Sequence, residues 1–233
     1  MNYCILTMRI GSKRIPKKNL YPFLGEPLCI HVIREASNTP EIDKVICLVD
    51  SEEIEDTIFN YNLPKVEIVL VPIMGDQSKT DFVIHRELSK RDFNDEDTII
   101  LTQVTSPLTT SFDFSESIKL YNSRQYDSLL SATKFDRFIW EKDSNGISYS
   151  PVNYDPENRV RTQDIDSYFM ENGAIYISSY KRWMDTKCRI TGSIGVYEMK
   201  EITGIEIDSE DDIKFLESKM RSIKDDDSFK KQN

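Results

Sequence analysis

The chain opens Tyr3-Cys-Ile-Leu-Thr-Met8 and runs directly into Arg9-Ile-Gly-Ser-Lys-Arg-Ile-Pro-Lys-Lys-Asn19. The first segment is an apolar run of strand length, too short for a membrane span and wrongly flanked for a signal peptide. The second holds five cations, Arg9, Lys13, Arg14, Lys17 and Lys18, and no acid appears before Glu26. In a chain of formal net charge −10 such a cluster needs a reason. The Gly11-Ser12 pair lets backbone N–H groups turn toward one point, with the cations around it. A buried strand ending in this loop has the composition of an anion cradle, and a polyphosphate is the anion it suits. The same residues also read as a solvated basic loop, so the rest of the chain has to decide.

The strand-then-polar-end pattern recurs. Lys44-Val-Ile-Cys-Leu-Val49 ends in Asp50, Val66 to Val71 runs into Pro72, Thr98 to Leu101 precedes a polar stretch, and Leu129 to Ala132 is a fifth candidate. Helical spacing fills the intervals. Leu28, Val32, Ile33 and Ala36 form one apolar face; Ser51 caps a helix carrying Ile54, Ile58 and Phe59 that stops near Pro64; Asp81 to Lys90 is a third. Strands apolar on both faces, alternating with amphipathic helices, predict an α/β protein with a mostly parallel sheet covered on both sides. The pattern weakens over 136–200, where turn signals at Ser144-Asn-Gly146 and Tyr154-Asp-Pro156 interrupt it. Strand-like pieces return at Ala174 to Ile177 and Ile194 to Tyr197. The stretch is expected to leave the core sheet and partly rejoin it. Thr203 to Asp208 reads as a closing strand, followed by a helix from Asp211 to about Met220 behind a Ser209/Asp212 cap. Residues 1–220 then make one domain, and 221–233 a frayed polar tail.

Totals narrow the class. A chain of 233 residues with 39% hydrophobic and 30% charged residues can bury a soluble core. No apolar run reaches the roughly 18 residues of a membrane helix. Cys4, Cys29, Cys47 and Cys188 are widely spaced, so a reducing, cytoplasmic setting is expected. The acidic balance argues against a nucleic-acid surface.

In a parallel sheet ligands bind at the carboxyl ends of strands. Besides the basic loop, Thr102-Gln-Val-Thr-Ser-Pro-Leu108 falls at such an end, and Gln103, Thr105 and Ser106 offer neutral groups that suit a sugar or a base. A turn and helix cap would use the same residues. On a strand, Glu206 and Asp208 share one face, where a divalent cation such as magnesium would relieve their repulsion; a water-facing sheet edge is the alternative. Arg161 is suited to a carboxylate or phosphate, while Asn172-Gly173 reads first as a tight turn. His31 and His85 have no partner at metal-ligand spacing. Neither G-x-x-x-x-G-K-[ST] nor G-x-G-x-x-G occurs.

Taken in order, these stretches resemble the cytidylyltransferases that activate sialic acid and related nine-carbon acidic sugars. Met8-Arg-Ile-Gly-Ser-Lys-Arg-Ile-Pro-Lys-Lys-Asn19 is similar to that family's A-R-x-G-S-K-x-[IL]-x-x-K-N. Thr102-Gln-Val-Thr-Ser-Pro-Leu-Thr109 resembles L-Q-P-T-S-P-L-R, Asn172 to Ile177 matches N-G-A-I-Y-I behind Arg161-Thr-Gln163, and Glu206-Ile-Asp-Ser-Glu-Asp-Asp212 resembles D-I-D-T-E-x-D. The resemblance implies a Rossmann-like sheet of the nucleotide-diphospho-sugar transferase type, with a protruding dimerisation segment within 136–200 and a homodimer. It implies CTP and an acidic sugar as substrates, with Mg²⁺. It assigns the nucleotide to Arg9, Gly11, Ser12, Lys13, Lys18 and Asn19, with Lys13, Arg9 and Lys18 catalytic. The sugar would fall to Gln103, Thr105, Ser106, Arg161, Gln163, Asn172 and Gly173, and the metal to Asp208 and Glu206. Arg14 and Lys17 fall at positions the family leaves variable.

Four departures go with it. The family's arginines before the proline and at the end of T-S-P-L-R are Val71 and Thr109 here, Glu206 replaces an aspartate, and the loop Gly75-Asp-Gln-Ser-Lys-Thr80 is short. Lys79 and Arg14 are the cations available to compensate. A sugar-1-phosphate nucleotidyltransferase and a homologue without turnover are the competing readings.

Overall fold

The computed structural model describes residues 1–72, 80–123, 126–162 and 168–225, with 223–225 as backbone alone. The opening run forms β1 (Asn2–Met8). After the basic loop come a single 3-10 turn (Lys18–Leu20), the short hairpin β2 (Pro22–Phe23) and β3 (Glu26–Pro27), and α1 (Leu28–Asn38). Next are β4 (Lys44–Val49), α2 (Glu52–Asn60), β5 (Val66–Leu70), α3 (Thr80–Leu88) and β6 (Thr98–Thr102). Then follow α4 (Ser111–Ser123), β7 (Ser128–Phe135), β8 (Trp140–Lys142), β9 (Tyr149–Pro151), β10 (Tyr168–Ser179), α5 (Tyr180–Thr186), β11 (Ile194–Met199) and α6 (Glu210–Asp225).

Seven strands make one sheet in the order β11-β7-β10-β6-β1-β4-β5. Alternation along β1 sorts its side chains into two apolar layers. Cys4, Leu6 and Met8 join one layer and Ile5 the other. On β4, Val45, Cys47 and Val49 join the first layer, and Ile46 and Leu48 the second. Such strands must be covered twice. The first layer is closed by apolar residues of α1, α2, α4 and α6, the second by Ile84 and Leu88 of α3 and Trp183 of α5. Burial holds the thiols of Cys4, Cys29 and Cys47 protonated, with Cys29 pushed up to about 12. They serve as packing groups.

The expected sheet is found, with one departure in direction. Pairs β1–β4, β1–β6, β4–β5 and β7–β11 are parallel, whereas β10 runs antiparallel between β6 and β7. Strand direction leaves no mark on an apolar run. Within 136–200, β10 and β11 belong to the main sheet, while β8 and β9 pair only with each other. Two local expectations are corrected. Phe59 is 73% exposed, because the buried stripe of α2 is Ile54 and Ile58, four residues apart. The segment 203–208 is not a strand: a 3-10 turn (Glu201–Gly204) leads into an extended piece tied to the core by Ile207 N–H donating to Thr105 O at 2.8 Å. The capping pattern before α6 is reciprocal, with Asp212 accepting from Ser209 N (2.7 Å) and Ser209 Oγ facing Asp212 N (3.3 Å).

Candidate active site

The carboxyl ends of β1 and β6 open into a cleft of about 440 Å³. Thr7, Met8 and Thr102 form its floor; Arg9, Gly11, Ser12, Lys13, Arg14, Lys18 and Asn19 line one side, with Gln103, Thr105 and the first turn of α3, Thr80 and Val83, completing it. All six residues expected to hold the nucleotide therefore share one cavity. The loop is anchored at several points. Ile10 N–H donates to Asp50 Oδ1 at 2.7 Å, Asn19 Nδ2 donates to Arg9 O at 2.7 Å, and Ile15 is fully buried. Asn19 thus closes the loop as well as facing the cleft. At Gly11 the space a side chain would take is open, so a ligand can approach the backbone there.

The five cations divide. Lys17, with φ 51°, turns out to Glu53 at 2.7 Å and lies outside the cleft. Lys18 turns inward and donates to Ile207 O (2.9 Å) and Asp208 Oδ1 (3.1 Å). Arg14 meets the same Asp208 oxygen at 2.9 Å. Its place in the cleft goes beyond what the motif assigns, since a contact between residues 14 and 208 has no local signal. The basic loop and the carboxylate segment are thereby joined, although neither Glu206 nor Asp208 is among the residues that line the cavity.

Glu206 and Asp208 stand together as expected, although not on a strand. The carboxyl of Glu206 is raised above its ordinary range, first by burial and then by the like charge of Asp208, with Lys18 opposing. Its position depends on Gly173, which has φ +65° at an irregularity in β10. A Cβ there would come within 2.8 Å of Gln103 Nε2 and closer still to Glu206. Gly173 therefore acts by leaving room. Gly173→Ala is expected to add about 1–2 kcal/mol of left-handed strain, lowering Tm by about 2–8 °C, and to displace Glu206 and Gln103 so that catalysis falls as well. Thermal unfolding and turnover measured together check this, and a variant that matches the parent in both would refute it.

Several expected sugar-binding residues are placed otherwise. Asn172 is fully buried, its amide committed to Ser131 Oγ (2.6 Å), Met199 Sδ (3.1 Å) and Thr203 Oγ1 (3.1 Å). Ser106 is buried and donates to Asn172 O at 3.1 Å. These two knit the turn after β6 to β10 and do not present a group to the cleft. Arg161 is exposed and does not line the cavity. Gln163 and Lys79 lie outside the described residues, as does 75–79 of the short loop. Gln103 and Thr105 do reach the cleft. Val71 and Thr109 are both buried, Val71 in the second apolar layer and Thr109 donating to Ser106 O at 2.9 Å.

The donor chemistry bears on a metal. Among the described residues no group of three or more His, Cys, Asp or Glu side chains could hold one. Two hard carboxylates beside a cationic loop instead suit magnesium that arrives with a polyphosphate and keeps water and phosphate oxygens as ligands. Thr102 Oγ1, buried at the floor without a hydrogen-bond partner among the described residues, is a further polar group for a ligand to satisfy.

Comparison with known proteins shows the family. Residues 3–225 match the family described as Cytidylyltransferase. The chain is 26% identical over 214 residues to an N-acylneuraminate cytidylyltransferase of Streptococcus agalactiae, covering 90% of this chain and 51% of that protein. It is 24% identical over 221 residues to a pseudaminic acid cytidylyltransferase of Campylobacter jejuni, covering 92% of this chain and 94% of that protein. The chain thus spans about half the length of the streptococcal relative and nearly all of the Campylobacter one. Among solved structures, a CMP:2-keto-3-deoxy-manno-octonic acid synthetase complexed with CTP superposes with a TM-score of 0.69 at 16% identity, over 95% of this chain and 98% of that one.

Proposed function

We propose a specific reaction for this chain, which belongs to the cytidylyltransferase family: transfer of CMP from CTP to the anomeric hydroxyl of a nine-carbon keto-sugar acid, with release of pyrophosphate. The observation that carries it is the meeting of Lys18 and Arg14, which line the cleft, with Asp208, which ties the cationic loop to the segment that carries both carboxylates. The relatives whose names specify N-acylneuraminate and pseudaminic acid support the choice of acceptor.

In this reading the sugar hydroxyl oxygen forms a bond to the α-phosphorus and gives up its proton to solvent, while the bond to the departing pyrophosphate breaks. Little covalent work falls to the protein, so positioning and charge neutralisation dominate. Arg9, Lys13 and Lys18 neutralise the phosphates, Ser12 and the backbone at Gly11 cradle them, and Gln103 and Thr105 face the acceptor. Glu206 and Asp208 would hold Mg²⁺, which supplies further neutralisation of the phosphate oxygens when bound. The four free thiols suit a reducing cytoplasm. No described helix is long and apolar enough to cross a membrane, and the acidic balance favours small anionic substrates held in a local pocket over nucleic acid.

We assign a homodimer to the β8–β9 region. Trp140 is 50% exposed and Tyr149 59%, with the rings of Phe138 (tilted) and Trp140 (edge-on) packed against Tyr154 and Arg159 over Phe138. Exposed aromatic surface of this kind suits docking of a second copy of the chain. Trp140→Glu should convert a dimeric mass in light scattering to a monomeric one; a monomeric parent would overturn the assignment.

The reaction is tested with purified protein, Mg²⁺, each of the four NTPs, a panel of keto-sugar acids and sugar-1-phosphates, and pyrophosphate detection. Release that requires both CTP and a keto-sugar acid is the expected result. Release with a sugar-1-phosphate would replace this reading by the alternative transferase, and no release in any combination would make the chain a binding homologue.

A further inference from the structure

The first turn of α3 carries a charge arrangement that the nucleotide does not require. Asp81 sits between Thr80 and Val83, which both line the cleft. Its Oδ1 accepts from Arg189 Nε at 2.7 Å and lies 2.6 Å from Arg189 Nη2. The same guanidinium lies over the Tyr176 ring, 5.0 Å from its centroid. Tyr176 in turn donates through its hydroxyl to Glu171 Oε2 at 2.9 Å. Ile175 pairs with Thr102 on the cleft floor, so Tyr176 is one residue inward from that floor. Asp81, Arg189, Tyr176 and Glu171 therefore form a connected strip that borders the cleft next to Thr80 and Thr102, just outside the residues that line the cavity itself.

The segment presenting Arg189 is held in place. Ser128 Oγ donates to Thr191 O (2.9 Å) and accepts from Thr191 N (3.0 Å), and Ser193 N donates to Asp127 Oδ2 at 2.7 Å. Gly192 takes φ +73°, with its open side closed by Asp127. A guanidinium on a pinned loop, fixed on one edge by a carboxylate and on one face by a ring, is preorganised to donate from its remaining N–H groups. Both side chains are 22% exposed, so the pair is partly desolvated and holds Arg189 in one orientation.

The acceptor does need a cation. Its acid group would meet a cleft whose loop cations already face polyphosphate, and at Val71 and Thr109 the chain has neutral buried residues. We propose that Arg189, oriented by Asp81 and Tyr176, is a specificity-determining residue for the acceptor, its guanidinium donating to an anionic or carbonyl oxygen of the sugar acid. The inference rests on the cytidylyl-transfer reading of the cleft. Asp81 makes the selection sharper: without Arg189 its carboxylate would face an acid and repel it.

The test compares the parent, Arg189→Ala, Arg189→Lys and Arg189→Ala combined with Asp81→Asn. The acceptors are N-acetylneuraminic acid, pseudaminic acid and 2-keto-3-deoxy-manno-octonic acid. Loss of one charge-assisted hydrogen bond is expected to raise the acceptor KM about 10–100-fold. KM for CTP stays unchanged, lysine restores part of the loss, and the double variant recovers part of it by removing the repulsion. A loss shared by all three acids identifies the carboxylate as the group read, and a loss confined to the two N-acylated acids identifies the acyl oxygen. An unmoved acceptor KM, or acceptor and CTP KM rising together with a falling Tm, would overturn the proposal. If the parent turns over none of the acids, the reaction reading fails separately. Equilibrium binding of the same acids to parent and Arg189→Ala then decides: weaker binding to the variant supports the role of Arg189, and equal binding or no binding to the parent ends it.

Discussion

Lys18→Ala lowers kcat/KM for CTP by about 10²–10³-fold, equivalent to ~2.7–4 kcal/mol of lost transition-state stabilisation, in a protein that still folds. The Lys18 side chain is 16% exposed and bonded to Ile207 O and Asp208 Oδ1. It therefore fixes the loop relative to the carboxylate pair and carries positive charge into a partly desolvated cleft, where that charge acts more strongly than in water. Folding survives because Ile207 keeps its backbone bond to Thr105 and Asp208 keeps Arg14. Lys17→Ala is the matched control. It removes the same charge one residue away, from a side chain paired with Glu53 outside the cleft, and leaves kinetics near those of the parent. Steady-state kinetics on both variants, with circular dichroism and thermal melts, make the comparison. Near-parental turnover in Lys18→Ala, or equal losses in the two variants, would remove Lys18 from the reaction and reduce the loop to a general electrostatic field.

The contrast between Lys17 and Lys18 also shows where sequence reasoning reaches and where it stops. Alternation in β1 and β4 is legible because each side chain enters one of two apolar layers, and a strand buried on both faces fits few architectures besides a covered sheet. The basic loop is legible because its charge runs against that of the chain. Within the loop, the division of cations between cleft and surface follows from a left-handed residue at Lys17 and from partners at 53 and 208, none of which leaves a local mark. Helix α4 reads from sequence only as a possible cap because a buried serine, Ser117, interrupts its apolar face, and α5 buries only Trp183. Asn172 misleads for a different reason. A motif shows that a residue type is required, and a buried amide that satisfies Ser131 and Thr203 is required as firmly as one that touches substrate. Arg189 lies outside every motif, and its connection to Asp81 spans 108 residues.

Glu206→Gln is expected to shift activity and stability in opposite directions. Removing one oxygen charge from the pair proposed to hold Mg²⁺ should lower turnover on the order of 10²-fold and move the Mg²⁺ titration to higher concentration. The same change should raise Tm of the protein without nucleotide. Burial and the neighbouring Asp208 disfavour the ionised form of Glu206, so its folded-state value lies above that of the unfolded chain. The folded state then holds the proton to higher pH. Stability falls as pH rises from the ordinary carboxylate range through the raised value, and above that value the whole cost remains. Glutamine, uncharged at every pH, avoids the cost while keeping a side chain of the same shape against Gly173 and Gln103. Melting curves across pH should therefore separate parent and variant at neutrality and bring them together in acid, where Glu206 is protonated. An unchanged Mg²⁺ titration would refute the metal role, and a variant less stable than the parent at neutral pH would refute the electrostatic account. A carboxylate retained for structure alone would lose stability on replacement, so the opposed signs distinguish a ligand-holding acid from a structural one.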